Sequence, residues 1–363
     1  MTTGEAQVPQ HKPLRFAVIG AGTMGRRHLQ AIAAAPDCEA VAVADPVPAG
    51  KAAAEAQGLR RYVDFTAMLD ETAPDGVIVA TPNDLHVSSA LACIERQMPV
   101  LVEKPIADTL DDALALADAA EAADVPVLVG HHRRHNPIVR QARDVVRSGT
   151  LGRLTAVSAT WLARKPDDYF DVAWRRQLGG GPVLINLIHD IDSLRFIAGD
   201  IVAVQSMTSS ACRGHAVEDT AAILLRFASG ALATVTLSDA VMAPWSWELT
   251  SGERTSYTYP QTGQECYLIA GTAASLAVPS LRLWRHDGEG AGDWRSPLAE
   301  RRLTADDADP IQAQIAHFAD VVRGCAAPLV TARDAARTLE ATLAVAEAAV
   351  TRREIVLSAP DEA

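Results

Sequence analysis

Three glycines spaced G-x-G-x-x-G, set between an apolar strand and a helix, constrain this chain more than any other feature. Leu14 to Ile19 reads as a short apolar strand. It runs into Gly20-Ala21-Gly22-Thr23-Met24-Gly25, and a helical stretch follows to about Pro36. Strand, glycine turn and helix in that order are the context in which this spacing cradles a dinucleotide. Gly20 permits the tight turn. Gly22 lets backbone N–H groups approach a pyrophosphate at the helix N-terminus, beside Thr23 and Met24, and Gly25 lets the helix pack closely on the strand. A second strand, Ala40 to Ala44, ends on Asp45, twenty residues past Gly25. An acidic side chain there accepts hydrogen bonds from the adenosine ribose hydroxyls. It also repels a 2′-phosphate, and Pro46, Val47 and Pro48 bring no cation to neutralise one, so NAD is favoured. Arg26 and Arg27, close to the third glycine, leave NADP as the alternative.

The run Val100-Leu101-Val102-Glu103-Lys104-Pro105 ends a buried apolar strand on a cationic amine. In an open parallel sheet, ligands bind beyond the carboxyl ends of the strands, so Lys104 is a candidate for the site. A solvated lysine at a strand terminus is the plain alternative. Thr81-Pro82-Asn83 follows the strand Gly76 to Ala80 and belongs to the same edge of the sheet. Asn83 either holds the nicotinamide half of a cofactor or caps the helix opening near His86, and His86 itself reads as structural.

Strand and helix alternate up to about Gly130, with further strands near Tyr62 and at Val127 to Val129. That rhythm means a doubly wound parallel sheet, an α/β Rossmann domain over residues 14–132 behind a loose tail at 1–13. Residues 133–363 follow as an α+β domain with a large, mainly antiparallel, open-faced sheet. Its strands are expected at Thr155 to Leu162, Val202 to Thr208, Ala221 to Phe227 and Ala231 to Leu237, with a hairpin turn at Ala228-Ser229-Gly230. Asp306 to Gly324 and Ala332 to Ala349 close the chain as helices. A sheet face without helical cover favours self-association, so a homodimer or homotetramer is expected.

The 363 residues suit two domains, each with a sizeable core. No apolar run is long enough to span a membrane, and the polar first thirteen residues lack a signal-peptide core, which points to the cytoplasm. A net charge of −12 argues against nucleic acid and anionic membrane partners. Five scattered cysteines without a C-x-x-C pair suggest neither a metal site nor a disulfide framework, and read as small buried hydrophobes.

Gly179-Gly180-Gly181-Pro182 precedes an apolar helix that runs to about Ala198 and stops at Gly199. Asn186, His189 and Asp192 fall three apart on one face of it. Either they form a satisfied core network or they bind substrate. Ahead of the triplet, Trp161, Arg164, Lys165, Asp168, Tyr169, Trp174 and Arg175 cluster in one segment. A tryptophan there offers a stacking face, and the cations suit a carboxylate; a solvated loop with local ion pairs is the alternative. One of His131, His132, Arg133 and Arg134 also has a place to face the site. Pro244-Trp245-Ser246-Trp247 reads as packing on the second sheet or at an oligomer interface.

The glycine turn, Thr81-Pro82-Asn83 with His86, Glu103-Lys104-Pro105, and Gly179-Gly180-Gly181 followed by His189 together resemble the glucose-fructose oxidoreductase, inositol dehydrogenase and MocA family. The similarity extends from about Leu14 to Leu357. It implies a nicotinamide-dependent oxidoreductase acting on a sugar or cyclitol carbon. Thr81, Pro82, Asn83, His86, Glu103, Trp174 and Arg175 then belong beside the cofactor. Lys104 and His189 belong at the substrate, with Asn186, Asp192, Trp161, Arg164, Lys165 and Trp174 around it. His189 is the candidate base for the alcohol proton, while Lys104 orients the same oxygen and stabilises its developing charge, or exchanges roles with it. One departure is notable: many members carry an aspartate where this chain has Ile185. Two rival readings stay open, a redox-neutral enzyme that uses NAD transiently and a dinucleotide-sensing regulator.

Overall fold

The computed structural model describes residues 12–253, 263–288 and 292–358. The chain divides into two compact units, the described residues of Met1–Gly130 with Ile311–Ala332, and those of His131–Pro310 with Arg333–Ala363.

The first unit is built on six parallel strands: β1 Leu14–Ile19, β2 Cys38–Ala44, β3 Arg60–Tyr62, β4 Gly76–Val79, β5 Val100–Val102 and β6 Val127–Val129. Their order is β3-β2-β1-β4-β5-β6, the doubly wound arrangement the strand rhythm implies. Between them lie α1 Thr23–Ala34, α2 Pro48–Glu55, α3 Phe65–Thr72, α4 His86–Ile94 and α5 Leu110–Ala123. β4, β5 and β6 are buried along their whole length, as expected of parallel strands covered on both faces. The order reverses between β1 and β4, so the loops after β1, β2, β4 and β5 meet at one edge.

The second unit opens with α6 Pro137–Arg147 and β7 Leu154–Leu162. A single turn of π-helix at Val183–Leu187 leads into α7 Ile188–Ala198, followed by β8 Ile201–Ser209, β9 Thr220–Phe227 and β10 Leu232–Ser238. The turn between β9 and β10 is the hairpin expected at 228–230, with Gly230 at φ +85°. After the short α8 Trp247–Thr250 come β11 Tyr267–Gly271, β12 Ala274–Val278, β13 Arg282–Arg285 and β14 Ala299–Arg302. α9 Pro310–Val322 then returns to the first unit, where Phe318 stacks on Phe16 with ring centroids 5.2 Å apart. α10 Ala332–Thr351 and β15 Ile355–Val356 complete the second unit. Its nine strands run β14-β13-β12-β11-β7-β10-β9-β8-β15 and are antiparallel except for the β7–β10 pair. One face is buried; the other leaves Leu224, Leu232 and Leu268 half exposed.

Two of the five cysteines depart from the buried role expected of them. Cys38, Cys93 and Cys266 are buried, whereas Cys212 and Cys325 are exposed because they lie in connections outside the sheets. The helix after the glycine triplet departs too. Its first turn is π-helical rather than α-helical, and the Val183 N–H is taken up by Glu218 Oε1 at 3.0 Å. The wider turn offsets Asn186 from the regular α-helical spacing that leads to His189 and Asp192.

α7 is held by a buried ionic cluster. Arg134 donates from Nε and Nη2 to both oxygens of Asp192 and also binds Asp334, while Thr338 donates to Asp192 Oδ1 at 3.0 Å. Burial opposes charge on Asp192, yet the guanidinium of Arg134, with His131 and Arg195, outweighs it and holds the carboxyl down at about 2. A carboxyl depressed in the fold contributes stability above its unfolded value, and that contribution drains away as pH falls toward the folded value. Asp192→Asn is therefore expected to cost about 3–5 kcal/mol at neutral pH, by stranding a buried arginine. The variant should also lose stability less steeply than the parent between pH 4 and 2. Denaturant titrations across that range check both; parallel acid profiles would contradict the assignment.

Candidate active site

The loops after β1, β2, β4 and β5 enclose a cavity of about 710 Å³ in the first unit. Gly20, at φ +93°, borders the cavity, and Gly25 packs against it from behind: a Cβ on Gly25 would stand 1.9 Å from the Gly20 carbonyl oxygen. Among the described residues a Cβ on Gly22 would meet nothing within 4 Å, and α1 starts there without a side-chain cap or an acidic residue in its first turn. The helix N-terminus, bordered by Thr23 and Met24, thus presents open N–H groups and positive dipole to the cavity. Thr81, which also lines the cavity, has a buried hydroxyl oxygen with no hydrogen-bond partner among the described residues. Open amides and an orphaned hydroxyl lining one cavity suit the diphosphate and riboses of a dinucleotide.

Asp45 lies at one end of this cavity, 6% exposed, with Oδ2 accepting from the Ala21 N–H at 2.7 Å and Oδ1 from the Val47 N–H at 2.9 Å. Two features there were not read from the sequence. Asp64 also lines the cavity, its carboxyl held below the usual range chiefly by the Thr66 hydroxyl. Arg61 comes in from β3 and donates to the carbonyls of Asp45, Pro46 and Val47. Of the arginines considered from the sequence, Arg26 is folded back onto the Ala21 carbonyl at 3.1 Å.

At the other end stand Pro82, Asn83, Glu103 and Lys104. Asn83 opens a turn of 3-10 helix that leads into α4, and among the described residues no side chain caps either element, so the capping role considered for it is not what the fold uses. His86 is buried and ties two loops together, with Nδ1 2.7 Å from the Pro105 carbonyl and Nε2 3.0 Å from that of Thr81. Glu103 is buried against His28 of α1, Oε1 to Nε2 at 2.7 Å, and its Oε2 accepts the Lys104 N–H at 3.2 Å. Lys104 is thereby fixed at the end of β5 through its own backbone.

In the second unit, the sequence-predicted residues separate into two groups. The first centres on α7. His189 is 6% exposed, Asn186 is half-buried with its Oδ1 unsatisfied among the described residues, and Asp192 is engaged by Arg134 as above. His132 packs edge-on against the His189 ring, centroids 5.2 Å apart at 72°. Glu253 takes His132 Nε2 at 3.0 Å and accepts from the indole of Trp247 and the amide of Asn136. Burial would raise the Glu253 carboxyl, but His132 and Arg133 more than offset it and bring it to about 2. Arg133, also buried, spans Asp190 and Glu248, and burial lifts the Asp190 carboxyl to about 6 despite that guanidinium.

The second group is the segment ahead of the glycine triplet. Trp161 is buried, donating its indole N–H to Glu248 at 2.8 Å, and so has less stacking face than expected. Lys165 pairs with Asp239 at 3.4 Å and lies over Tyr169, with burial lowering its ammonium despite that partner. Arg175 stacks on Tyr169 at 4.0 Å and flanks Trp174, which remains 48% exposed. Arg164 is turned outward toward Asp167. Trp247 is fully buried and Trp245 half exposed, consistent with packing on the sheet.

A doubly wound sheet with a glycine turn, an acid at the end of β2 and a lysine at the end of β5 defines a nicotinamide dinucleotide-binding oxidoreductase. Residues 14–131 match the oxidoreductase family model with an NAD-binding Rossmann fold, and residues 139–277 match the GFO/IDH/MocA C-terminal domain. The chain belongs to the GFO/IDH/MocA oxidoreductase family. It is 35% identical to the rhizopine catabolism protein MocA of Rhizobium meliloti over 186 residues, 51% of this chain and 57% of that one. It is 29% identical to 1,5-anhydro-D-fructose reductase of Ensifer adhaerens, covering 93% and 96% of the two chains. It is also 30% identical to D-apiose dehydrogenase of Paraburkholderia graminis, covering 76% and 71%. An Agrobacterium radiobacter oxidoreductase solved with NAD+, L-tartaric acid and magnesium shares the fold at TM-score 0.79 and 22% identity, covering 95% of this chain and 98% of that one.

The two glycines at α1 separate folding from binding. Gly22→Ala is expected to leave the melting temperature unchanged and to raise the NAD+ Kd about tenfold or more, a loss near 1.4 kcal/mol, because the new methyl fills the approach to the N-terminal amides. Gly25→Ala should instead destabilise the first unit by about 1–3 kcal/mol through overpacking. Calorimetric titration and thermal melts of both variants read the contrast; equal melting temperatures for the two would contradict it.

Proposed function

We propose that the protein is an NAD-dependent dehydrogenase that oxidises a secondary alcohol of a sugar, cyclitol or related cyclic molecule, or reduces the corresponding ketone. The observation that carries the reading is Lys104, fixed by its backbone to Glu103 at the end of the dinucleotide cavity. Support for the substrate class comes from the relatives, among them inositol 2-dehydrogenase 2 of Saccharopolyspora erythraea and levoglucosan dehydrogenase of Pseudarthrobacter phenanthrenivorans. When bound, the nicotinamide ring accepts or returns the hydride.

The chain's own groups handle the proton and the oxygen. In the oxidising direction, an imidazole nitrogen of His189 takes the hydroxyl proton as the C–H bond breaks. The Lys104 ammonium hydrogen-bonds the same oxygen and stabilises the charge that develops on it. Ile185 offers no carboxylate to support a charged His189. His132, backed by Glu253, packs on His189 and takes over the orientation of its ring. The Asn186 amide oxygen, unsatisfied among the described residues, accepts a substrate hydroxyl, and Trp174 offers its exposed face to the ring of the substrate.

The test is reduced-nicotinamide absorbance of the purified protein with NAD+ and a panel of sugars, cyclitols and uronic acids. Lys104→Ala and His189→Ala are each expected to lose turnover by at least about a hundredfold, the scale of general acid–base and oxyanion terms, while NAD+ affinity holds. Wild-type turnover in either variant would remove that residue from the chemistry. Substrate consumption without free NADH would favour the redox-neutral reading.

We also propose that the open face of the nine-stranded sheet is a self-association surface. The groove across β7, β9, β10 and β11 is apolar, about 500 Å³, and edged by Arg226 and Glu354. Leu224→Glu should shift the protein to a smaller species in light scattering after size exclusion, with the melting temperature of the remaining fold preserved. An unchanged mass, or a wild-type monomer, would contradict this assignment.

A further inference from the structure

Arg61 stands at the adenosine end of the dinucleotide cavity, where reading along the turn after β2 finds no cation. It is the middle residue of β3, the edge strand, and pairs with Val43 of β2, the strand that delivers Asp45. Its guanidinium reaches back across that turn. Nε donates to the Asp45 carbonyl at 2.9 Å, and Nη2 donates to the carbonyls of Pro46 and Val47 at 2.9 and 3.2 Å. Prolines at 46 and 48 deprive this turn of two amide donors, so the guanidinium braces a segment with little hydrogen bonding of its own. A guanidinium carries five N–H groups. Those on Nε and Nη2 are committed to the turn, and those on Nη1 have no hydrogen-bond partner among the described residues.

The Asp45 carboxylate is held from the opposite side by the Ala21 and Val47 amides, one on each oxygen. Each oxygen keeps a lone pair for a ribose hydroxyl. Asp64, a second carboxylate bordering the cavity near Asp45, is turned onto the amide and hydroxyl of Thr66. The adenosine end is thus flanked by two groups of opposite preference. The Asp45 carboxylate accepts from hydroxyls and repels a phosphate, whereas a guanidinium binds phosphate through charge-assisted hydrogen bonds.

We propose that Arg61 is the second determinant of cofactor choice in this chain: it braces the 45–47 turn and offers its Nη1 edge to the 2′-phosphate of NADP, so that Asp45 sets the balance toward NAD. Removing the Asp45 charge then does more than relax a preference, because the phosphate partner is already in place. Arg61 does not line the cavity as the chain stands, which is why its contribution surfaces only when a 2′-phosphate is present. The inference rests on the assignment of the cavity to a dinucleotide.

The test is calorimetric titration of NAD+ and NADP+ into the full chain and into Asp45→Ser, Arg61→Gln, Arg61→Lys and the Asp45→Ser/Arg61→Gln double variant. The quantity read is the ratio of the two dissociation constants. Asp45→Ser is expected to move the ratio toward NADP by about tenfold or more, and Arg61→Gln to move it back by about tenfold in either background. Arg61→Lys, which keeps the charge but not the fork, should recover part of the NADP affinity, and added salt should erode that part. A brace with no role in phosphate recognition would weaken both nucleotides alike; an unchanged ratio in Arg61→Gln therefore overturns the proposal. Should Asp45→Ser fail to fold, the wild-type background still reads the ratio. Failure of the unmodified chain to bind either nucleotide would overturn the dinucleotide assignment itself, a separate result.

Discussion

The buried hydrogen bond between Glu103 and His28 is the constraint on which the dinucleotide site depends. It joins the end of β5 to the inner face of α1 at 2.7 Å, with both side chains excluded from water. A carboxylate buried without a partner costs several kcal/mol, so the pair fixes where α1 can sit relative to β5. Two consequences follow within the first unit. The open amides of α1 are aimed along the strand ends, and the second oxygen of Glu103 holds the backbone of Lys104 in the same frame. Gly130 completes the arrangement, since a Cβ there would stand 3.0 Å from the Glu103 carboxyl carbon. One buried acid thereby sets the separation between the diphosphate end of the cavity and its cationic end.

The second unit solves a different problem, the burial of many charges beneath one helix. Arg133 and Arg134, adjacent in sequence, divide the acids between them: Arg133 takes Asp190 and Glu248, and Arg134 takes Asp192 and Asp334. Their partners come from α7, α8 and α10, so the short segment after β6 pins three elements at once. Such a network contributes little net stability over an apolar core, but it leaves few alternative positions for α7. His189 inherits that rigidity, with His132 against its ring. The cost of charge burial is met in a way that orders the residue proposed as the base.

The features legible in the sequence were those carried by local pattern. The glycine turn, the apolar strands and the lysine at the end of β5 depend on neighbours a few residues away, and periodicity alone exposes them. β7 through β10 were legible for the same reason, to within a residue at most ends. β11 to β14 were not, because they are four or five residues long and are broken by Thr272, Ala273 and Pro279 before a pattern can accumulate. The return of α9 to the first sheet depends on the contact of Phe318 with Phe16, which no local rule announces. The same limit explains the site. Asp45 was visible because it ends its own strand, but Arg61 reaches the same turn from the neighbouring strand, and Glu253 reaches His132 across 121 positions of sequence. Asp192 had the right spacing from His189 and still went elsewhere, since a guanidinium from the segment after β6 binds it more strongly than an imidazole one turn away.

The central claim is that the edge formed by β1, β2, β4 and β5 holds one nicotinamide dinucleotide per chain. Equilibrium titration of the purified protein with NADH, followed by fluorescence energy transfer from tryptophan and repeated with NAD+ as competitor, tests it most directly. The account predicts saturable binding at one nucleotide per chain, fully displaced by NAD+. Absence of saturable binding, or binding that NAD+ fails to displace, would contradict it.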